Sequence, residues 1–381
     1  MSDRKEQARR ALDDVLDSLR GISRWMYENP ELAYEEHKSS ARLVEFLGSS
    51  GFEVEYPAYG METAFAARAG TDGPHVIICA EYDALPGVGH ACGHNIIATA
   101  ALGAGHALLP LVDELGIRLT VLGTPAEEHY GGKVDLIDAG AFEDVAAAMM
   151  IHPSPTDVVD SKVIAVAHVD VHYHGKAAHA SAYPQQGLNA LDAAVQAYVN
   201  ISTLRQHIYP TDKLHGVIVE GGEAPNVIPD YTRSSWYIRA EHRPRLEELI
   251  PKVTACFEAA ATATGCTVEV EYVGHIYDEM VSNPVMVDLF LANASELGRS
   301  MLRGADLPPS QTGSTDMGNV SKLVPTIHPM LGISSRPAVN HQKEFAAHTI
   351  TPDGDRAISD GALGMAWTVI DLAEGDHWAR L

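Results

Sequence analysis

Three strand-length apolar runs, each ending at acidic or histidine residues, constrain this chain more than any other feature. Val76–Ala80 (VIICA) leads into Glu81 and Asp83. Ile117–Leu122 (IRLTVL) is followed by Glu127 and Glu128, and Ala146–Ile151 (AAAMMI) ends at His152. Unbroken apolar runs of this length suit strands covered on both faces. Helical patterns flank them: amphipathic stretches over 13–29 and 35–51, a long apolar helix over 95–115, and a short one over 134–139. Strands alternating with helices predict a mixed, mostly parallel α/β sheet with helices on both faces. Such sheets bind ligands outside the carboxyl ends of their strands, which is where these polar residues fall.

The pattern changes after residue 164. Ala165–Tyr173 alternates like a strand, 188–207 reads as a helix, and Gly216–Glu220 and Ser234–Ala240 read as strands. Arg243–Thr264 is a helix, and Thr267–Val273 alternates again. That order is the ferredoxin-like β-α-β-β-α-β motif. The α/β style returns after about Asp278, so the expected organisation is a domain of 165–275 inserted into one made of 1–164 and 276–381.

Composition narrows the function classes. Lys and Arg number 27 against 51 Asp and Glu, a net charge of −24, which argues against nucleic acid and anionic membranes as partners. A 46% hydrophobic content supplies a large core and excludes wholesale disorder. No membrane-length apolar run of about 18 residues is expected. The charged start, 1–21, lacks the apolar centre of a signal peptide. The four cysteines, Cys79, Cys92, Cys256 and Cys266, form no CxxC pair. A cytoplasmic, reduced protein is the simplest expectation, and there a cysteine beside histidines acts as a ligand or nucleophile.

Such a cysteine exists. The segment HACGHN (90–95) lies between the first two apolar runs, at the start of the long helix. Cys, His and Glu donors together suit zinc or a similar divalent ion. A bend at the helix start would let Cys92 and His94 face one site. Taken singly, a Cys-Gly-His turn, a glutamate pair or one histidine is ordinary. All three at strand ends of one α/β unit point to a metal site.

These segments carry a resemblance. EYDALP (81–86), HACGH (90–94), GTPAEE (123–128), GKAAHA (175–180), GEAPNVIP (222–229) and GSTD (313–316) together resemble the M20 metallopeptidase family, over nearly the whole chain. Within it the chain is most similar to dipeptidases acting on dipeptides with basic C-terminal residues and their bacterial relatives, which share the CGHN form. The resemblance implies two divalent ions per subunit, Zn or Mn with Co or Ni tolerated. Cys92 would bridge them, with His94 and His152 completing one shell and Glu128 and a late histidine the other. His341, in NHQKEF (340–345), fits that last place better than His328. Asp83 would hold a ligating imidazole, and Glu127 would be the general base. The resemblance also gives the inserted domain a lid and dimerisation role. His179 would stabilise the oxyanion, reaching in from the other subunit of a homodimer, and Asn226 and Arg239 would bind the substrate carboxylate. Asn95 and Ile97 depart from the commoner CGHDxH pattern, which weakens any transfer of substrate preference from the auxin-conjugate branch. The expected substrate is a dipeptide or N-acyl amino acid. Aminobenzoyl-glutamate-type hydrolysis is the alternative, and a non-catalytic binding protein on this fold is the minor one.

Overall fold

A computed structural model of the chain describes residues 2–308, 311–375 and 377–381. The chain divides into two compact units. One comprises Met1–Lys162, Met280–Thr312 and Asp316–Leu381, and the other Val163–Glu279 with Gly313–Thr315. The sequence pattern alone leaves Gly313–Thr315 in the outer segment. They join the second unit because Ile164 donates its N–H to the Gly313 carbonyl at 2.9 Å and Ser314 donates its hydroxyl to the Ile164 carbonyl at 2.7 Å.

The first unit is built on a six-stranded sheet. Across it lie Glu53–Glu55, Phe65–Ala69, Arg118–Gly123, His75–Ala80, Ala147–Met149 and Thr326–Ile327. The last four are mutually parallel and the first two antiparallel, as a mixed, mostly parallel sheet requires. A short parallel pair, His152–Ser154 with Met330–Gly332, continues past the sheet. The central strand is buried on both sides. Val76, Ile78 and Ala80 enter one apolar cluster, while Ile77 and Cys79 enter another, the alternation that a pleated strand imposes.

Three helices fill the larger cluster: Asp3–Glu28, His94–Leu108 and Pro352–Glu374. They meet at Gly103, where an added Cβ would lie 2.9 Å from Leu12, 3.0 Å from Leu19 and 3.0 Å from Ala362. The first helix begins ten residues earlier than the sequence predicts. Ser2 caps it by accepting the Lys5 N–H, and Ala8 and Leu12 extend its buried stripe. The long central helix ends sooner than expected, at Leu108, because Pro110 brings in a 3-10 turn over Leu109–Leu111 before a short helix, Val112–Leu115. The stretch His94–Leu115 is long and apolar enough to cross a membrane, contrary to the expectation of no such run. Its apolar residues are instead buried within this unit, 83% of the window being covered.

The second unit is a four-stranded antiparallel sheet. Its order across the sheet is Thr267–Tyr272, Ala165–His174, Tyr231–Ala240 and Lys213–Glu220. Helices Ala190–Leu204 and Arg243–Thr264 bury Ala193, Ala197, Leu249, Val253 and Phe257 against Val169, Val171 and Trp236. In chain order this is the ferredoxin-like arrangement.

Candidate metal centre

The site begins where the parallel strands stop. His75–Ala80 ends at Glu81 and Asp83, Arg118–Gly123 leads to Glu127 and Glu128, and Ala147–Met149 leads to His152. Gly93 makes the bend between Cys92 and His94. Its φ of +83° places it in the left-handed region, and a Cβ there would lie 2.3 Å from Pro153. Only glycine satisfies both conditions.

Two donor groups share Cys92: Cys92, His94 and His152 form one, and Cys92, Glu128 and His341 the other, with donor atoms within 4.8 Å of one another in each. Glu81, His94 and Glu127 form a third such group. Cys92 Sγ lies 3.3 Å from His152 Nε2 and 3.5 Å from His341 Nε2, and His341 Nε2 lies 3.6 Å from Glu128 Oε1. A tetrahedral ion with a metal–sulfur bond of ~2.3 Å and a metal–nitrogen bond of ~2.0 Å has an S–N edge of roughly 3.5 Å. The histidines also present the right atoms. His94 Nδ1 bonds Asp83 Oδ1 at 3.0 Å, and His152 Nδ1 bonds the Pro153 carbonyl at 2.8 Å. Both acceptors require N–H at Nδ1, which leaves the Nε2 lone pairs facing the cluster. His94 Nε2 and Glu128 Oε1 are buried without hydrogen-bond partners. A buried thiol, two bare imidazole nitrogens and an orphaned carboxylate oxygen fit a divalent cation.

Electrostatics agree. Burial pushes the Cys92 thiol well above its ordinary value, and Glu128 adds to this. Burial raises Glu127 well above the usual carboxylate range too, helped by Glu81, Glu128 and Asp316. So much gathered negative charge calls for a cation. Burial alone would raise Asp83, but His94 and the Glu128 N–H hold it below its ordinary value. Burial disfavours a charged His94, yet Asp83 outweighs it and raises His94 well above 6.5, so positive charge is favoured at Nε2, supplied by a proton or by a bound cation in its place. Burial lowers His152 to about 4.

His341 comes from a loop, with its N–H on the Ala91 carbonyl at 2.9 Å and a left-handed φ of +69°. His328 follows Thr326–Ile327 and is buried outside both groups, with its ring 5.5 Å from that of His152. A model of Peptidase family M20/M25/M40 matches residues 77–354. The chain belongs to this family. It is 41% identical over 387 residues to the Xaa-Arg dipeptidase of Mus musculus, covering 97% of this chain and 88% of that protein. It is 31% identical over 288 residues to a p-aminobenzoyl-glutamate hydrolase component of Escherichia coli, covering 69% of this chain and 60% of that one. A solved Bacillus subtilis structure, described as a dinuclear metal binding peptidase from the M20 family, aligns with a TM-score of 0.68 at 20% identity, over 94% of this chain and 99% of that one, and shares the fold. This M20 protein is a metal-dependent hydrolase.

The buried surroundings of the donors include residues to which sequence reasoning gave no role. Lys133 is fully buried, with Nζ donating to Glu81 Oε1 at 2.5 Å and to Asp316 Oδ1 at 2.7 Å. Burial would lower its pKa, but Asp316 and Glu81 overcome this and keep it charged. Glu81 Oε2 then lies 3.4 Å from His94 Nε2. Glu36 is also fully buried, and burial raises it to about 7, with Asp83 contributing. Neither position announced itself: Lys133 belongs to none of the motifs, and Glu36 falls in a stretch read as an amphipathic helix.

The second unit holds the remaining sequence-predicted residues. His179 is exposed, and its Nδ1 accepts the N–H groups of Ser181 and Ala182, each at 3.3 Å, which puts the ring proton on Nε2. Asn226 is its neighbour through the His179–Val227 bridge, and its carbonyl accepts the Ala180 N–H at 3.0 Å. Arg239 is not with them. It lies eight residues beyond Tyr231 along one strand, about 26 Å at the usual rise per residue. There its Nη1 donates to Ser314 Oγ at 2.7 Å, and the guanidinium carbon lies 5.5 Å from the Tyr237 ring centroid. Within the second unit, Asn226 and Arg239 therefore lie well apart.

Proposed function

We propose that this chain is a binuclear dipeptidase that cleaves dipeptides with a basic C-terminal residue. The observation that carries this is the pair of donor groups sharing Cys92, with Glu127 beside them. The relative of Mus musculus, similar over nearly the whole chain, supports the substrate class. Cys92, His94 and His152 would hold one ion, Zn or Mn, and Cys92, Glu128 and His341 the other. Bound there, the pair would supply Lewis acidity and lower the pKa of a bound water to about 7. Glu127 would take the proton from the attacking water and return it to the leaving amine. Asp83 fixes the His94 ring and its tautomer. His179, with its proton on the exposed Nε2, donates to the oxyanion, and Arg239 grips the substrate carboxylate.

The distance between Arg239 and the His179–Asn226 pair supports a homodimer in which the pair serves the other subunit's site. Strand Lys213–Glu220 supports it as well: it is a sheet edge that exposes Val217 and Val219, beside a helix that exposes Val195 and Val199. A monomeric mass in solution would count against this arrangement.

Glu127→Gln tests the mechanism. Turnover should fall by about 100-fold or more with metal content unchanged, and full activity would overturn the assignment. The similarity to the Escherichia coli hydrolase favours a second reading, aminobenzoyl-glutamate hydrolysis. Rates on dipeptides ending in Arg or Lys, set against aminobenzoyl-glutamate with Zn or Mn added, decide between the two.

A further inference from the structure

We propose that Glu36 is a positioning residue for the hydrolytic carboxylate, holding Ala126 in the backbone conformation that aims Glu127 and Glu128. The proposal rests on the reading of Glu127 as the general base. Glu36 is buried at the start of helix His37–Ser50, and both its oxygens are engaged. Oε1 accepts the Ala126 N–H at 2.9 Å and Oε2 accepts the Thr63 hydroxyl at 2.8 Å. No lysine or arginine pairs with it among the described residues. A buried carboxylate without a cation is costly, so its retention calls for a specific role.

Ala126 supplies that role. It has φ +60°, a left-handed conformation strained for any residue with a Cβ, and it directly precedes Glu127 and Glu128. The hydrogen bond from its N–H to Glu36 offsets that strain. The Ala126 carbonyl accepts the Gly131 and Gly132 N–H groups at 3.0 and 3.2 Å, and two residues on the Glu128 N–H donates to Asp83 Oδ2 at 2.9 Å. Two buried carboxylates from different parts of the chain therefore grip the amides on either side of Glu127. Asp83 also orients His94, whereas Glu36 bonds no member of the donor groups. Its influence on the site runs through the backbone of Ala126.

The test uses the full chain loaded with Zn or Mn. Glu36→Leu keeps the volume and removes the acceptor. It should lower kcat about 10- to 100-fold, as small misplacements of a reacting group do, with KM and metal content unchanged. In the metal-free protein it should speed amide exchange in the peptide covering 124–131. Glu36→Gln keeps an acceptor for the Ala126 N–H and should retain near-normal kcat. The decisive variant is Ala126→Gly in the Glu36→Leu background. Glycine adopts positive φ without strain, so this pair should regain most of the lost kcat. An unchanged kcat in Glu36→Leu, or no recovery on adding Ala126→Gly, overturns the proposal. If Glu36→Leu does not fold, Thr63→Val loosens the same carboxylate and should lower kcat about threefold; no change there overturns the proposal as well. Glu127→Gln on the same substrate separates the two failures. An active Glu127→Gln overturns the base assignment, whereas an inactive one beside an unaffected Glu36→Leu overturns only the part given to Glu36.

Discussion

The two units treat charge in opposite ways. The first carries Glu36, Glu81, Asp83, His94, Lys133 and Asp316 in its interior, each almost completely buried. The second keeps much of its charge on the open face of its sheet, where Asp170 meets Arg233 at 2.8 Å and His172 lies 3.4 Å from Glu271, over a core of Ala, Val, Leu and aromatic side chains. It does bury one pair, Arg245 with Asp212 at 2.7 Å. Buried ion pairs are poor stabilisers compared with apolar packing of the same volume. The pairing of Lys133 with Glu81 and Asp316 beside the donor groups is therefore a matter of aim rather than of stability, and the first unit also buries Arg299 against Asp157 and Asp360 as a separate set.

The strongest attack on that contrast is Lys133→Met. It leaves Glu81 and Asp316 buried without their cation and should cost about 3–5 kcal/mol. Urea unfolding of the metal-free protein measures it, and a loss below about 1 kcal/mol would dissolve the distinction. Metal is the next lever. Saturating ion should stabilise the protein over the chelated form by about 2.7 kcal/mol for each ion bound at a hundredfold excess over Kd. The added protection against hydrogen exchange should appear in peptides containing Cys92, Glu128, His152 and His341, and equal protection of the second unit would contradict the assignment. Arg233→Ala, on the open face, should cost less than about 1 kcal/mol, read from the same urea curves. The finest probe is pH. Burial, then Arg118, lowers His75 to about 4, so the unfolded chain takes up this proton first as pH falls. The resulting stability is complete above about pH 6.5 and is lost between there and about 4. His75→Gln should flatten that decline in Tm. His215→Gln, where burial and then Arg239 produce a lesser lowering, should flatten it less.

What could be read from the sequence followed the same division. Runs that are apolar by composition, such as VIICA, declared themselves as strands, and the alternating strands of the second unit were equally plain. Phe65–Ala69 (FAARA) did not, because alanine and arginine carry little strand preference and its place depends on pairing with Arg118–Gly123. In the site, the candidate donors stood out because Cys, His and paired Glu at strand ends are chemically unusual. Lys133 and Glu36 stayed hidden because local sequence cannot distinguish a buried charge from a solvated one. The separation of Arg239 from Asn226 was hidden for another reason, since it depends on strand length and register rather than residue type.

The chain order of the donors has a consequence for biosynthesis. The group of Cys92, His94 and His152 lies wholly within the first 152 residues, whereas the group with Glu128 waits for His341. On a ribosome the whole intervening unit is made between those two moments. The nascent protein thus holds four of the five donors early and can complete the second set only near the end of its synthesis.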